Sequence, residues 1–484
     1  MLTSHLKRIY RNPWGLFTDL YQITMGYGYW KSGIADRQSV FHLFYRKNPF
    51  GNPYTIAAGL DLVIDLLQNY RFSVDDIQYL GSLKASDGKA LFSESFLNYL
   101  QRMQFSCTIS AMPEGSVAFP HQPLVRVEGP LIQAQLIETA LLNIINFSTL
   151  ITTKAARVCQ AARGESVLEF GLRRAQGVDG GLTASRSAFI GGCDGTSNVL
   201  AGRLYGIPVK GTHAHSWVMC FDDELEAFAA YAEAMPANCI FLVDTYDTLE
   251  GIRNAITVGH RLREKGHDLL GIRLDSGDLG ELSKIARHML DDSGFTETAI
   301  VASNDLDEYQ INSLKEQGAK ISVWGVGTRL VTAYEQAALG GVYKLAAITD
   351  EHGKWDYRVK LSEQEIKVSN PGRLQVRRYY DKQENPIGDQ IYNLDFSNPP
   401  AKVINFTNNQ QNYLDPYKSE DLLVPVFEEG RLVYASPYLE DIRRYCQLEQ
   451  QRFASLHSEK NDYVNGLEPA LYALKLSLIQ SVKV

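Results

Sequence analysis

The sequence contains no Cys-x-x-Cys pair. Its six cysteines, at 107, 159, 193, 220, 239 and 446, are scattered along 484 residues. That argues against a zinc ribbon, a thioredoxin-type site or a disulfide framework, and fits reduced packing thiols. Also missing is any uncharged run of about 18 apolar residues, so no membrane-spanning helix is expected. The opening stretch, MLTSHLKRIYRNPWGLF, holds neither an apolar leader core nor a small-residue cleavage pattern, and a cytoplasmic location is expected. Positive charge is not in excess: 48 Lys and Arg face 56 Asp and Glu, a net of −8. A protein that binds nucleic acid by neutralising phosphates would be basic, so no nucleic-acid partner is expected. Internal repeats and low-complexity tracts are absent as well.

What is present is a globular mixture, 45% hydrophobic and 21% charged, with enough apolar surface to offset chain entropy. Its length accommodates two or three domains, or one large barrel with an attached domain. Residues 85–103 have helical spacing, and 107–130 alternate among Gly and Pro, which predicts short strands and turns. Ile137, Leu141, Ile144, Ile145 and Leu150 give 132–162 helical spacing, as one helix or two joined end to end. From about 165, seven short unalternated apolar runs alternate with helical stretches: 166–171, 207–213, 239–245, 269–276, 299–305, 321–327 and 342–348. Strands covered on both faces read this way, and strand–helix alternation builds a parallel α/β sheet. Seven units without a long break favour a closed or nearly closed barrel, with an open doubly wound sheet as the alternative. After 350 the chain turns polar, with a strand-like stretch at 372–381, a hairpin across Glu428-Glu429-Gly430, and helical spacing at 437–455 and 467–482. The expected organisation is a barrel over 131–350 and a discontinuous second domain made from 1–130 and 351–484.

Polar residues collect where these runs end, which in a parallel barrel is where chemistry sits. Gly325-Val326-Gly327-Thr328 pairs two glycines with a hydroxyl, the make-up of an anion cradle and also of a plain glycine turn. Arg273, Asp275 and Asp278 crowd one strand-to-helix turn. A guanidinium suits a carboxylate or phosphate, and the carboxylates suit Mg²⁺, ribose hydroxyls or a cationic transition state. A solvated ion-pair network, with Ser276 or Asp278 as a helix cap, is the plainer reading. His213 and His215, two apart on an expected strand, would face one side. They read as the metal pair of a barrel hydrolase, as one nucleophilic histidine oriented by a carboxylate such as Asp244, or as two structural histidines. Phe170 beside Arg173 and Arg174 fits a flat anionic ring, or a core Phe with surface arginines. Thr18-Asp19-Leu20-Tyr21 reads as a cap and a helix start.

Together these segments resemble the nicotinate phosphoribosyltransferases. The resemblance rests on TDLYQITMGYGYW (18–30), FHLFYRKNPF (41–50), EFGLRRAQG (169–177), ASRSAFIGGCDGTSNVLAG (184–202), GTHAHSWVM (211–219), IRLDSGDL (272–279), SNDLDEY (303–309), GVGTRLVT (325–332) and GGVYKL (340–345), in the family's order. It implies an irregular parallel α/β barrel of the type II phosphoribosyltransferase kind, with a second α/β sandwich domain formed from both chain ends. It also implies ATP-coupled transfer of ribose 5-phosphate from phosphoribosyl pyrophosphate to nicotinate, with Mg²⁺, in NAD biosynthesis. The products would be nicotinate mononucleotide, pyrophosphate, ADP and phosphate, and such an enzyme is classed as a ligase. By position, His215 matches the histidine that ATP phosphorylates and Asp244 the carboxylate that orients it. Thr212 and Arg273 match nicotinate contacts, and Phe170 and Tyr21 the aromatic pair around the ring. Arg173, Gly327 and Thr328 match the phosphoribosyl pyrophosphate site, and Asp275 the ribose side. No metal ligand is assigned; Asp278 is the candidate. Tyr21 is supplied by the neighbouring subunit in this family, which implies a homodimer with shared sites. Nicotinamide-using relatives carry an acidic residue where this chain has Ser197, which implies preference for the acid. The competing readings are a metal-dependent barrel hydrolase built on His213 and His215, and a catalytically silent nucleotide-binding protein.

Overall fold

The computed structural model describes residues 13–362, 364, 368–396, 399–406, 408–457 and 463–482. It divides into two compact units. One takes the residues up to Thr149, Ala338–Tyr438 and Leu448 onward; the other takes Leu150–Ala337 and Leu439–Gln447.

In the second unit, short apolar runs form β1 (Ser166–Glu169), β2 (Gly195–Thr196), β3 (Ile240–Leu242), β4 (Gly271–Leu274), β5 (Ala299–Ala302) and β6 (Val323–Val326). All pair in parallel, in the order β2-β1-β6-β5-β4-β3. That is a ring of consecutive strands cut between β2 and β3. The run at 207–213 lies at this cut and is not the strand its sequence predicts. It makes one parallel bridge, Val209 to Thr196, and its His213 Nε2 accepts the Leu242 N–H of β3 at 3.3 Å. Phe228, Phe241, Ile252, Ile272 and Trp324 are fully buried in this unit's core.

Four helices of this unit start alike: Glu224–Ala234, Thr248–Glu264, Leu279–Asp292 and Glu308–Glu316. Each is capped by an aspartate, at 223, 247, 278 and 307, whose side chain accepts a backbone N–H three residues on. An Asp cap satisfies one of the donors a helix leaves unpaired at its N-terminus. It also fixes where the chain turns after β4 and β5.

Among the described residues the first unit holds a seven-stranded sheet built from both chain ends, a six-stranded sheet built from residues 374–467, and a two-stranded pair, Thr55–Ile56 with Val117–Ala118. In the larger, Gln38–Phe44 is central, flanked by Val342–Thr349 and Val125–Pro130, all antiparallel. The seventh apolar run is therefore not a barrel strand: Val342–Thr349 pairs antiparallel with Gln38–Phe44. Residues 131–149 and 338–350, expected with the barrel, group with the first unit. The smaller sheet has six strands, including Leu374–Tyr380, Pro386–Asn393 and Val464–Leu467. The helix expected over 85–103 is only Glu94–Arg102, capped by Ser93. The residues before it turn at Gly88, φ +80°, a backbone region open to glycine. The 132–162 pattern resolves into two helices, Leu131–Leu136 and Glu138–Ala162.

Candidate active site

The strand ends of the second unit bring together polar side chains far apart in sequence. At the end of β4, Arg273 donates from Nη1 to Thr212 Oγ1 at 2.7 Å. Its Nε is buried without a hydrogen-bond partner. Burial lowers the Arg273 pKa, the Asp275 and Asp244 carboxylates raise it, and the Arg173 charge lowers it again. Two guanidinium groups are thus within electrostatic reach of each other, an arrangement that an anion between them would relieve. Two residues further on, Asp275 accepts from Ser303 Oγ through Oδ1, while its Oδ2 lies 3.8 Å from His215 Nε2. The other ring nitrogen of His215, Nδ1, is 3.1 Å from Thr245 Oγ1.

Asp244, matched by position to the carboxylate that orients the histidine, is hydrogen-bonded to the turn after β4. Its Oδ2 accepts the Asp275 backbone N–H at 2.8 Å and the Ser276 hydroxyl at 2.6 Å. It braces the turn after β4, and the groups hydrogen-bonded or paired with His215 are Thr245 and Asp275. Asp244 Oδ1 is buried without a partner.

Phe170 follows β1, and its N–H donates to Val326 O at 2.8 Å. A Cβ on Gly325 would lie 2.7 Å from the Phe170 ring, and one on Gly327 would lie 3.1 Å from Phe170 O. The two glycines therefore seat the Phe170 turn closely against the Thr328 loop. Thr328 opens the short helical turn Thr328–Val331. Arg173 is exposed on the turn Leu172–Arg174.

The two histidines do not form a pair. His213 is buried among Phe228, Tyr231 and Phe241. A backbone N–H is bonded to its Nε2, so Nδ1 carries the proton and points to Ala214 O at 3.4 Å. Burial pushes its pKa down to about 4. Both nitrogens are thus engaged, because the strand expected at 207–213 is interrupted and His215 opens a new helical turn, His215–Val218. Asp278 is the cap of the helix Leu279–Asp292. Among the described residues, no three His, Cys, Asp or Glu side chains converge as a metal site.

Tyr21 lies in the first unit, on the helix Leu20–Lys31, and is 49% exposed. Asp19 precedes this helix but makes no side-chain cap; it accepts the Thr139 hydroxyl at 2.9 Å. Buried Gln22 donates to Glu138 at 2.9 Å, fixing the helix from its other side. Thr245, Ser276 and Ser303 were legible only as strand-end polar residues, and the chemistry of their partners gives them roles.

Three family models match the chain: the nicotinate phosphoribosyltransferase (NAPRTase) N-terminal domain over 16–146, the NAPRTase family over 166–356 and the NAPRTase C-terminal domain over 373–477. The nicotinate phosphoribosyltransferase of Bacillus subtilis is 43% identical over 478 residues, covering 97% of this chain and 96% of that protein. The Homo sapiens nicotinate phosphoribosyltransferase is 34% identical over 522 residues, covering 96% of this chain and 94% of that one. The crystal structure of human nicotinic acid phosphoribosyltransferase superposes with a TM-score of 0.81, covering 95% of this chain and 99% of that one at 34% identity. A nicotinate-nucleotide pyrophosphorylase from Pyrococcus furiosus, 22% identical, shares the fold with a TM-score of 0.68 over 94% of this chain and 98% of that one. The six-stranded parallel sheet, the second sheet unit and these matches along the chain agree: it belongs to the nicotinate phosphoribosyltransferase family.

Proposed function

We propose that this chain transfers ribose 5-phosphate from phosphoribosyl pyrophosphate to nicotinate, coupled to ATP through a phosphohistidine at His215. The observation that carries this reading is the convergence of Thr212, His215, Arg273 and Asp275 in one unit, linked through Arg273–Thr212 and His215–Asp275. Nicotinate is a flat ring with a carboxylate. Arg273 meets the carboxylate with its unpartnered Nε, and Phe170 covers the ring. Ser197, in place of an acid, leaves the carboxylate unopposed and favours nicotinate over nicotinamide. The ring nitrogen supplies an electron pair to the sugar carbon, and the bond to pyrophosphate breaks with its own pair. No proton moves, so no general base is needed. Positive charge develops on the sugar, and the Asp275 carboxylate is the group that stabilises it. Arg173, Gly327 and Thr328 hold the phosphates.

The His215 contacts fit a proton on Nε2, facing Asp275, and a lone pair on Nδ1 beside the Thr245 hydroxyl. Nδ1 takes the γ-phosphoryl group and ADP leaves; water later returns histidine and phosphate. Mg²⁺ typically binds one or two carboxylates plus substrate phosphates rather than an all-protein cage. Asp275 and the buried, unpartnered Oδ1 of Asp244 fit that demand, and the ion would neutralise phosphate charge. A cytoplasmic homodimer is proposed as the working form. In support, the first unit exposes Phe17, Leu20, Tyr21 and Met25, and the second exposes Val199, Leu200, Leu204 and Val209. Small molecules rather than nucleic acid are the proposed partners, as the net charge of −8 favours. The hydrolase reading loses its support because His213 has no free nitrogen.

One incubation tests this: nicotinate, phosphoribosyl pyrophosphate and Mg²⁺, with and without ATP, read by mass. Nicotinate mononucleotide should form, and more of it with ATP. A protein that yields none under either condition is not this enzyme.

A further inference from the structure

Glu169, at the end of β1, is only 1% exposed. Its donors are three neutral groups from three elements: the Gly171 N–H, the Ser185 hydroxyl at 2.8 Å and the Thr196 hydroxyl at 2.5 Å. They belong to the turn after β1, to the helix Gly177–Gly191 and to β2. A buried carboxylate is expensive to desolvate, and an apolar residue of its size would fill the space at less cost. Stability alone is therefore a poor account of it.

The network continues into the segment that follows β2. Thr196 Oγ1 accepts the Asn198 N–H at 2.9 Å. Asn198 Nδ2 donates to Ser185 Oγ at 3.2 Å, and the Ser197 N–H donates to Glu169 O at 2.9 Å. Glu169 is thus bonded, through side chain and main chain, both to the turn bearing Phe170 and Arg173 and to the segment bearing Ser197.

We infer that Glu169 is a positioning residue that sets the spacing between the Phe170–Arg173 turn and the Ser197–Asn198 segment, and so the shape of the nicotinate and phosphoribosyl subsites. This rests on the transferase reading above. Misplacement of binding groups by about 1 Å can change rates by about 100-fold, so a bonded spacer of this kind has leverage on substrate affinity.

The test uses the full chain and measures KM for both substrates, kcat and Tm in wild type, E169A, E169Q and T196V. E169A should raise KM for nicotinate and phosphoribosyl pyrophosphate by about tenfold or more. E169Q keeps an acceptor for Gly171, and its amide can donate to the two hydroxyls, so it should restore most of the affinity even where Tm stays low. A low Tm with unchanged KM in E169A overturns the inference, as does a Gln variant with KM as poor as Ala. If E169A does not fold, T196V decides: a rise in KM supports the spacer and an unchanged KM overturns it. Wild type separates the two levels. No product from wild type sinks the transferase reading and this inference with it, whereas unchanged KM in active variants sinks this inference alone.

Discussion

Leu242 donates its backbone N–H to Nε2 of His213 at 3.3 Å, so a neutral imidazole stands where the parallel ladder is interrupted. Protonation would replace the acceptor with a second donor and put a charge among three aromatic rings. Burial accordingly holds His213 at about 4, as it holds His42 at about 3 and His121 at about 4. Below the unfolded value of about 6.5 the unfolded chain binds protons that the native chain does not. These groups therefore contribute stability that is full above pH 6.5 and lost as pH falls toward 4. Glu224, whose pKa burial raises, works in the opposite sense, so the informative quantity is a difference. The urea midpoint of wild type should drop more between pH 7 and 4.5 than that of His213→Gln. Parallel profiles would show that His213 is not buried neutral.

His215 is the proposed phosphoryl acceptor, and its ring is bonded to no backbone group of the core. His215→Ala should fold with nearly the wild-type Tm and lose the stimulation of product yield by ATP, while ATP-independent transfer survives. Label from γ-phosphate-labelled ATP should be absent from the variant. Unchanged ATP stimulation would remove His215 from the coupling step.

Arg273 is held by one strong hydrogen bond to Thr212, with its Nε left for a ligand. Lysine keeps the charge but cannot bond Thr212 and a carboxylate in the same plane. A hydrogen bond to a charged group contributes about 1.5–3 kcal/mol, so Arg273→Lys should raise KM for nicotinate by about 10- to 100-fold. Phosphoribosyl pyrophosphate affinity should change less. Equal losses for both substrates would place Arg273 elsewhere in the site.

Gly325 is pressed against the Phe170 ring, where a Cβ would approach to 2.7 Å. Gly325→Ala must push the ring away, and overpacking of this kind typically costs about 1–3 kcal/mol. The expected result is a lowered Tm together with weaker nicotinate binding, since Phe170 is the proposed cover of the ring. A fall in Tm with intact nicotinate affinity would show that the Phe170 ring does not touch substrate.

Much of this was legible in the sequence because barrel strands are short apolar runs that end in polar residues. The runs leading to Glu169, Asp244, Asp275, Ser303 and Gly327 all became strands of one parallel sheet. Two were misread for a physical reason. Val342–Thr349 is as apolar as a barrel strand, but hydropathy does not distinguish parallel from antiparallel partners, and its partner, Gln38–Phe44, lies about 300 residues away. The run at 207–213 has strand composition, yet it keeps a single bridge to β2 and meets β3 through a histidine side chain, which no periodicity records. The polar partners of the site were harder still. That Asp244 braces Asp275 while Thr245 meets His215 depends on which of two adjacent side chains faces the ring, and that is set by the turn, not by the residue types.

Arg378 offers the largest expected effect outside the site. It is fully buried in the smaller sheet of the first unit, with Nε and Nη2 on Asp389 at 2.9 and 2.8 Å and Nη1 on Glu449 at 3.0 Å. Its Nη2 also donates to Val117 O at 2.8 Å. Asp389 in turn accepts Gln122 at 2.8 Å and the Tyr463 hydroxyl at 2.7 Å. Val117 and Gln122 come from one stretch near the start of the chain and Glu449 and Tyr463 from near its end, so the guanidinium and its Asp389 partner tie both to the sheet. The pair gains little over a well-packed apolar replacement of all its members, because desolvation offsets the attraction. Removing one member is different: Arg378→Met leaves the buried Asp389 carboxylate without its cation and Glu449 with Arg452 alone, which should destabilise by about 3–5 kcal/mol. Denaturant unfolding measures the loss. Adding Asp389→Asn and Glu449→Gln to Arg378→Met should return part of the stability, since no buried carboxylate then remains and the Arg452 left behind is partly exposed. If the single and triple variants are equally unstable, the loss is one of packing and the ion pairs do not set it.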